Sequence, residues 1–162
     1  MDAVELLVHQ HRTLEGQMKL LKDAEDDQRR AALLAEIGDQ LTVHLTSEEE
    51  IFYPAVRAGR TEDILLESLE EHLSLKRLLA DLLELEPSTQ TFAPKFRVLK
   101  EQTEHHHKEE EDHLFPKVLV LIDAERRAAL GRDMEALQQR LAREGEPRAA
   151  VAGQTDKAAE LE

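Results

Sequence analysis

The 162-residue chain contains no cysteine and no tryptophan, and only 3% of its residues are aromatic. Without cysteine there is no disulfide framework, no thiolate metal ligand and no Cys nucleophile. Six Gly and five Pro are too few turn signals for a sandwich or barrel of many short strands. Basic residues are also scarce: 21 Lys+Arg stand against 35 Asp+Glu, a formal net charge of −14. That balance argues against nucleic acid or an anionic membrane as partner, because both bind basic surfaces. No apolar run approaches the roughly 20 residues that span a bilayer. The opening Met1-Asp2-Ala3-Val4-Glu5 lacks the basic stretch of a signal peptide. The expectation is a cytoplasmic protein, and its wealth of Leu, Ala, Glu and Arg points to helices. What the chain does have in number is histidine, eight in all.

Apolar residues recur at spacings of three and four, the seam of a bundle helix. Val4, Leu7, His11, Leu14, Met18 and Leu21 mark a first helix over 2–25. Leu34, Ile37, Leu41, His44, Glu48 and Phe52 mark a second over 28–58, ended by Gly59. Thr61 is placed to N-cap a third helix over 62–85, with Leu65, Leu69, His72, Leu75, Leu79 and Leu82 on its seam. After Pro87-Ser88-Thr89, a fourth helix over 91–122 carries Phe96, Leu99, Thr103, His106, Glu110 and Leu114. Long helices with short connections predict an all-α, up-down-up-down four-helix bundle over 1–122. An additional C-terminal helix is expected over 123–144, either covering the bundle or pairing two copies into a homodimer. Residues 145–162 lose all periodicity and read as a flexible tail.

The second and fourth helices contain a repeat. His44, Glu48 and Pro54 match His106, Glu110 and Pro116 at an offset of 62 residues, and His11 and His72 stand 61 apart on the first and third helices. The chain is therefore two related helical hairpins, each with one His on its first helix and His-x3-Glu on its second. A lone seam histidine is more often a satisfied core residue, and a run such as Glu48-Glu49-Glu50 is ordinarily a solvated face. The same pair in the same register to proline, twice, points instead to a metal site. Residues i and i+4 lie one above the other on a helix, so each His/Glu pair offers a nitrogen and a carboxylate to one point. Burying two carboxylates uncompensated costs several kcal/mol each, a cost that divalent cations reverse. The predicted metal ligands are His11, His44, Glu48, His72, His106 and Glu110, a donor set suited to iron or manganese, with zinc as an alternative. His107 with Glu111 is a second i+4 register, and His113, Glu15 and Tyr53 are further candidates. Pro54 and Pro116 break the i−4 hydrogen bonding and are expected to kink their helices just beyond the site.

With these motifs the four-helix body, residues 2–122, resembles the hemerythrin-like, or HHE cation-binding, family. The resemblance rests on His11-Arg12, His44…Glu48…Pro54, Glu71-His72 and His106…Glu110…Pro116. It implies a non-heme di-iron centre bridged by carboxylates and an oxo or hydroxo group, with an open coordination position. Oxygen carriers of that family place a second His at i+4 on the third helix, where this chain has Lys76. They also place an Asp at i+5 on the fourth, where this chain has Glu110 at i+4. The likeness is therefore to the bacterial branch, and the site, with no residue set for organic chemistry beside it, favours O2 or NO binding for storage, delivery or sensing. Redox turnover of peroxide, NO or ferrous iron at the same site is the alternative, and a metal-free bundle the second alternative.

Overall fold

Aspartates start three of the helices. The computed structural model describes residues 1–162, which form helices and turns without a strand. The Asp2 carboxylate accepts the Glu5 N–H at 2.9 Å while Glu5 accepts the Asp2 N–H at 3.3 Å, a reciprocal capping box opening α1 (Ala3–Asp23). Asp26 accepts the Arg29 N–H and opens α2 (Asp27–Ser47), which continues through a π turn, Glu48–Phe52, into Tyr53–Ala55. The third helix, α3, is Glu62–Leu83. The fourth, α4, is Phe92–Glu109, continuing through a second π turn, Glu110–Leu114, into Phe115–Leu121. Thr61 occupies the predicted N-cap position without capping. Its hydroxyl donates to the Val56 carbonyl at 2.8 Å and accepts the Ala58 N–H at 2.9 Å, closing the preceding loop instead.

In the bundle α1 packs against α2 and α4, and α3 against the same two helices, as the short connections predict. The core is in two parts. One apolar cluster holds Leu14, Met18, Leu41, Leu45, Leu75, Phe92, Phe96 and Leu99; the other holds Leu7, Phe52, Tyr53, Leu69, Leu114, Phe115 and Val118. On every helix the histidines and glutamates of the repeat fall between the two, as with Leu7, His11 and Leu14 on α1 or Leu69, His72 and Leu75 on α3. A polar layer is thus sealed between two hydrophobic plugs. That environment strengthens every electrostatic interaction within it.

The C-terminal helix α5 (Ala124–Arg143), capped by Asp123, lies along α1 and α2 and so covers the bundle. It comes close at Gly131, where a Cβ would sit 2.6 Å from the Met1 carbonyl oxygen. The structure differs from the expectation of a flexible tail over 145–162 at residues 147–154. Gly145, at φ 148°, turns the chain into a 3-10 helix, Pro147–Gln154, that packs on α2 and α3. Val151 enters the first apolar cluster, and Arg148 binds Asp39 through both its backbone N–H and its guanidinium. One buried valine and one ion pair hold this segment, and neither leaves a periodic trace in the sequence. No helix is long and apolar enough to cross a membrane.

Candidate metal centre

Proline shapes the site from within the helix. Pro54 and Pro116 have no N–H and would press their rings on the carbonyl four residues back. Both helices answer with one widened turn: Tyr53 N–H donates to the Glu48 carbonyl, and Phe115 N–H to the Glu110 carbonyl, each five residues back. The interruption expected beyond the site therefore begins on Glu48 and Glu110 themselves. In such a turn residue i+5, rather than i+4, returns to the same face. Tyr53 and Phe115 are thereby brought inward and buried.

All six predicted ligands meet at the centre of the bundle, each exposed by 1% or less. Glu48 Oε1 lies 3.5 Å from His44 Nε2 on its own helix and 3.2 Å from His72 Nε2 of the other hairpin. Glu110 Oε1 lies 3.6 Å from His106 Nε2 and 3.2 Å from His11 Nε2. Each carboxylate oxygen thus sits between one histidine of each hairpin, the placement of a bridging ligand. His72 Nε2 and His106 Nε2 face one another at 3.1 Å.

The sequence repeat leaves two further residues of the centre as open alternatives, and the structure brings both in. His107 is buried and stacks on His11 with ring centroids 3.7 Å apart, forming with His11 and His44 a three-nitrogen group. A rotation of about 100° per residue lets adjacent histidines on α4 straddle the seam, His106 toward His72 and His107 toward His11. Tyr53 donates its phenolic proton to Glu110 Oε2 at 2.7 Å, with its oxygen 3.1 Å from His72 Nε2. Both were marked where the copies disagree, because His107 stands opposite Leu45 and Tyr53 opposite Phe115. The other two candidates lie outside: His113 is 62% exposed beside Glu109, and Glu15 pairs with Arg12.

Behind the histidines stands a second layer that the sequence reading did not resolve. Nδ1 of His11 donates to Glu111, of His72 to Glu49, of His106 to Glu71 and of His44 to Gln10, each at 2.8 Å. Arg12 pairs with Glu111, and Lys76 with Glu49 at 2.9 Å. These bonds fix the tautomer and turn each Nε2 lone pair inward, as metal-binding imidazoles require. A signal existed: Glu49 and Glu111 each follow a repeated Glu, and Gln10 and Glu71 each precede a repeated His.

Ten buried side-chain polar atoms have no hydrogen-bond partner, and seven of them lie in this cluster, on His11, His44, Glu48, His107 and Glu110. Buried acceptors left in this way are costly, and cations at their convergence satisfy them together. The charges strain in the same sense. Burial, with Glu110 beside it, pushes Glu48 well above the usual carboxylate range. Burial opposes ionisation of Glu110 as well, but His106, Glu48 and His11 outweigh it and hold it low. Burial lowers His72, and lowers His44 and His107 strongly, with His11 adding to it at those two. His106 is raised, because Glu110 and Glu71 overcome its burial. Burial, then the two carboxylates, drives Tyr53 well up, so it stays a phenol.

These shifts give the metal-free protein a pH signature. Below 6.5, the ordinary histidine value, unfolded His44, His72 and His107 take up protons that the folded protein refuses, so stability falls as pH falls. Above 4.5, the ordinary carboxylate value, unfolded Glu48 gives up a proton that the folded protein keeps, an opposing term. Between the two, three histidine terms stand against the one Glu48 term, while raised His106 opposes them only from 6.5 upward, so the metal-free protein is expected to lose stability on acidification over this range. Urea unfolding of chelated protein from pH 6.5 to 5 measures this slope, and the metal-loaded protein is expected to be flatter there.

Comparison with known proteins gives three findings. The profile of the hemerythrin HHE cation-binding domain family matches residues 2–118, and a second time residues 67–162, starting within α3. A protein from Nostoc sp. described as a DNA nickase is 30% identical over 125 residues, which are 75% of this chain. The chain spans only 36% of that relative's length. A crystal structure of a hemerythrin HHE cation-binding domain-containing protein from Mycobacterium kansasii superposes with a TM-score of 0.77 at 23% identity, over 97% of this chain and 94% of the other.

Proposed function

Because this chain belongs to the hemerythrin HHE cation-binding domain family, we propose that its buried His/Glu layer holds two non-heme iron ions and binds a diatomic gas, O2 or NO. The observation that carries this reading is the convergence of partnerless buried atoms on one point between two apolar plugs. His11, His44 and His107 would hold one ion and His72 and His106 the other, with Glu48 and Glu110 serving both sides. Imidazole and carboxylate donors without thiolate favour iron, then manganese or zinc. When bound, the metal pair would supply electrons and a place for the gas to bind. The His72/His106 side has no third imidazole, since Leu45 stands at the repeat position of His107, and there Tyr53 supplies a phenol beside His72 and Glu110.

The chain's own contribution is to hold the imidazoles in one tautomer, exclude water with the two plugs, and keep a proton on Tyr53 at hydrogen-bonding distance from Glu110. That phenol is also the observation favouring a second reading, redox turnover of peroxide, NO or ferrous iron, since a buried phenol can deliver a proton to a reacting ligand. The nickase description of the Nostoc relative concerns a protein of which this chain covers about a third. A net charge of −14 argues against nucleic acid as a partner.

The deciding experiment is metal content together with absorption spectra of anaerobically reduced protein, before and after O2, NO and peroxide. About two irons per chain and a spectrum that reverses on deoxygenation or removal of NO are expected. Oxygen evolution from peroxide with the metals loaded would favour the redox reading. Protein purified without metal and indifferent to added iron would overturn both.

A further inference from the structure

Apart from His107, the two hairpins match ligand for ligand, but the groups behind the ligands match only in part. Glu111 behind His11 and Glu49 behind His72 are equivalent across the repeat, and each carries its own cation, Arg12 or Lys76. The remaining pair differs. Behind His44 stands the amide of Gln10, and behind His106, at the position 61 residues later, stands the carboxylate of Glu71. The only salt-bridge partner of Glu71 is His106 itself. His107 has no hydrogen-bond partner on either ring nitrogen. Among the groups that accept from Nδ1, each side has one carboxylate paired with a cation, Glu111 or Glu49, and only the His72/His106 side has a second carboxylate, Glu71, with no Lys or Arg beside it.

The amide at position 10 is held in place. Gln10 Nε2 donates to Gln138 Oε1 on α5 at 2.7 Å, and Gln138 Nε2 donates to Ser47 Oγ at 2.9 Å. This clamp leaves Gln10 Oε1 as the acceptor for His44 Nδ1–H. The C-terminal helix thus keeps a neutral acceptor on that side. A carboxylate accepting from Nδ1–H makes the imidazole a stronger donor to a metal than an amide does.

We propose that Gln10 and Glu71 are positioning residues that set the valence order of the two metals: the ion on the His72/His106 side is held in the more oxidised state, and the ion on the His11/His44/His107 side is reduced first. This rests on the iron reading above, and the test separates the two. Anaerobic potentiometric titration of the iron-loaded full chain reads two successive one-electron couples, with iron content and melting temperature recorded for each variant. Glu71→Gln raises the lower couple, by the equivalent of roughly a ten- to hundredfold change in its equilibrium constant, the usual size of an outer-layer effect, and moves the upper couple less. Gln10→Glu lowers the upper couple and moves the lower one less, so either change narrows the gap. Glu71→Asp, which restores the charge, returns the lower couple toward its original value. Couples that move together in both variants, or in the opposite assignment, would overturn the valence order while leaving the di-iron reading intact. Absence of bound iron in the unaltered chain would overturn both.

Discussion

Removing the metal is expected to lower the melting temperature by about 15–30 °C. A ligand present at a thousand times its dissociation constant stabilises the folded state by about 4.1 kcal/mol, so two ions contribute about 8 kcal/mol. For a chain of this size each kcal/mol corresponds to about 2–4 °C. The molecular reason lies in the middle layer. Without cations, Glu48 and Glu110 face one another across a dry core, five imidazoles turn inward, and seven acceptor or ring atoms have no partner. The plugs above and below bar water from reaching them. Calorimetry or circular dichroism before and after chelation, with metal then restored, measures the effect. A melting temperature unmoved by chelation would mean a metal-free bundle whose histidines serve only packing.

The repeat made most of this centre legible in the sequence, because ligands are constrained in both type and spacing. His44/Glu48 and His106/Glu110 had to be i, i+4 pairs to reach one point, and a pattern that is forced twice is readable. Among the inward-facing residues, those left open were the ones where the two copies differ. His107 breaks register by one residue, and only the pairing of α4 with both α1 and α3 shows that neighbouring histidines can serve different sides. Tyr53 faces the centre through the widened turn that proline induces, and a helical wheel drawn at constant pitch points it elsewhere. The acceptors behind the ligands are legible only after folding, since Glu111 serves His11 of the other hairpin rather than His107 on its own helix. In the fold, the 3-10 segment after Gly145 escaped for a related reason. Val151 and the Arg148–Asp39 pair hold it through single tertiary contacts, and periodicity reports only faces that repeat.

The same logic gives Glu48→Gln two effects of opposite sign. Glu48 Oε1 lies between His44 and His72, one histidine on each side of the centre, so its charge serves both metal positions. The amide keeps the shape and loses the charge, and metal content is expected to fall from about two ions per chain to below one. His107→Leu, which installs the Leu45 counterpart, touches one side alone and is expected to retain about one. In the metal-free state the order reverses. There Glu48 is held well above its ordinary range by burial and Glu110, so at neutral pH the fold bears the cost of a carboxyl it must keep protonated. A glutamine amide has no such cost, and its N–H groups meet waiting acceptors on His44 and Glu110. Metal-free Glu48→Gln is therefore expected to be more stable than the metal-free parent at neutral pH, with the difference shrinking as pH falls toward 4.5. Urea unfolding of both proteins after chelation, beside metal analysis of both as purified, reads the two effects separately. A variant that keeps two ions would remove Glu48 from its bridging position. A metal-free variant weaker than its parent would mean that this carboxyl already has its partners in the folded protein, and that the layer is built for packing rather than for metal.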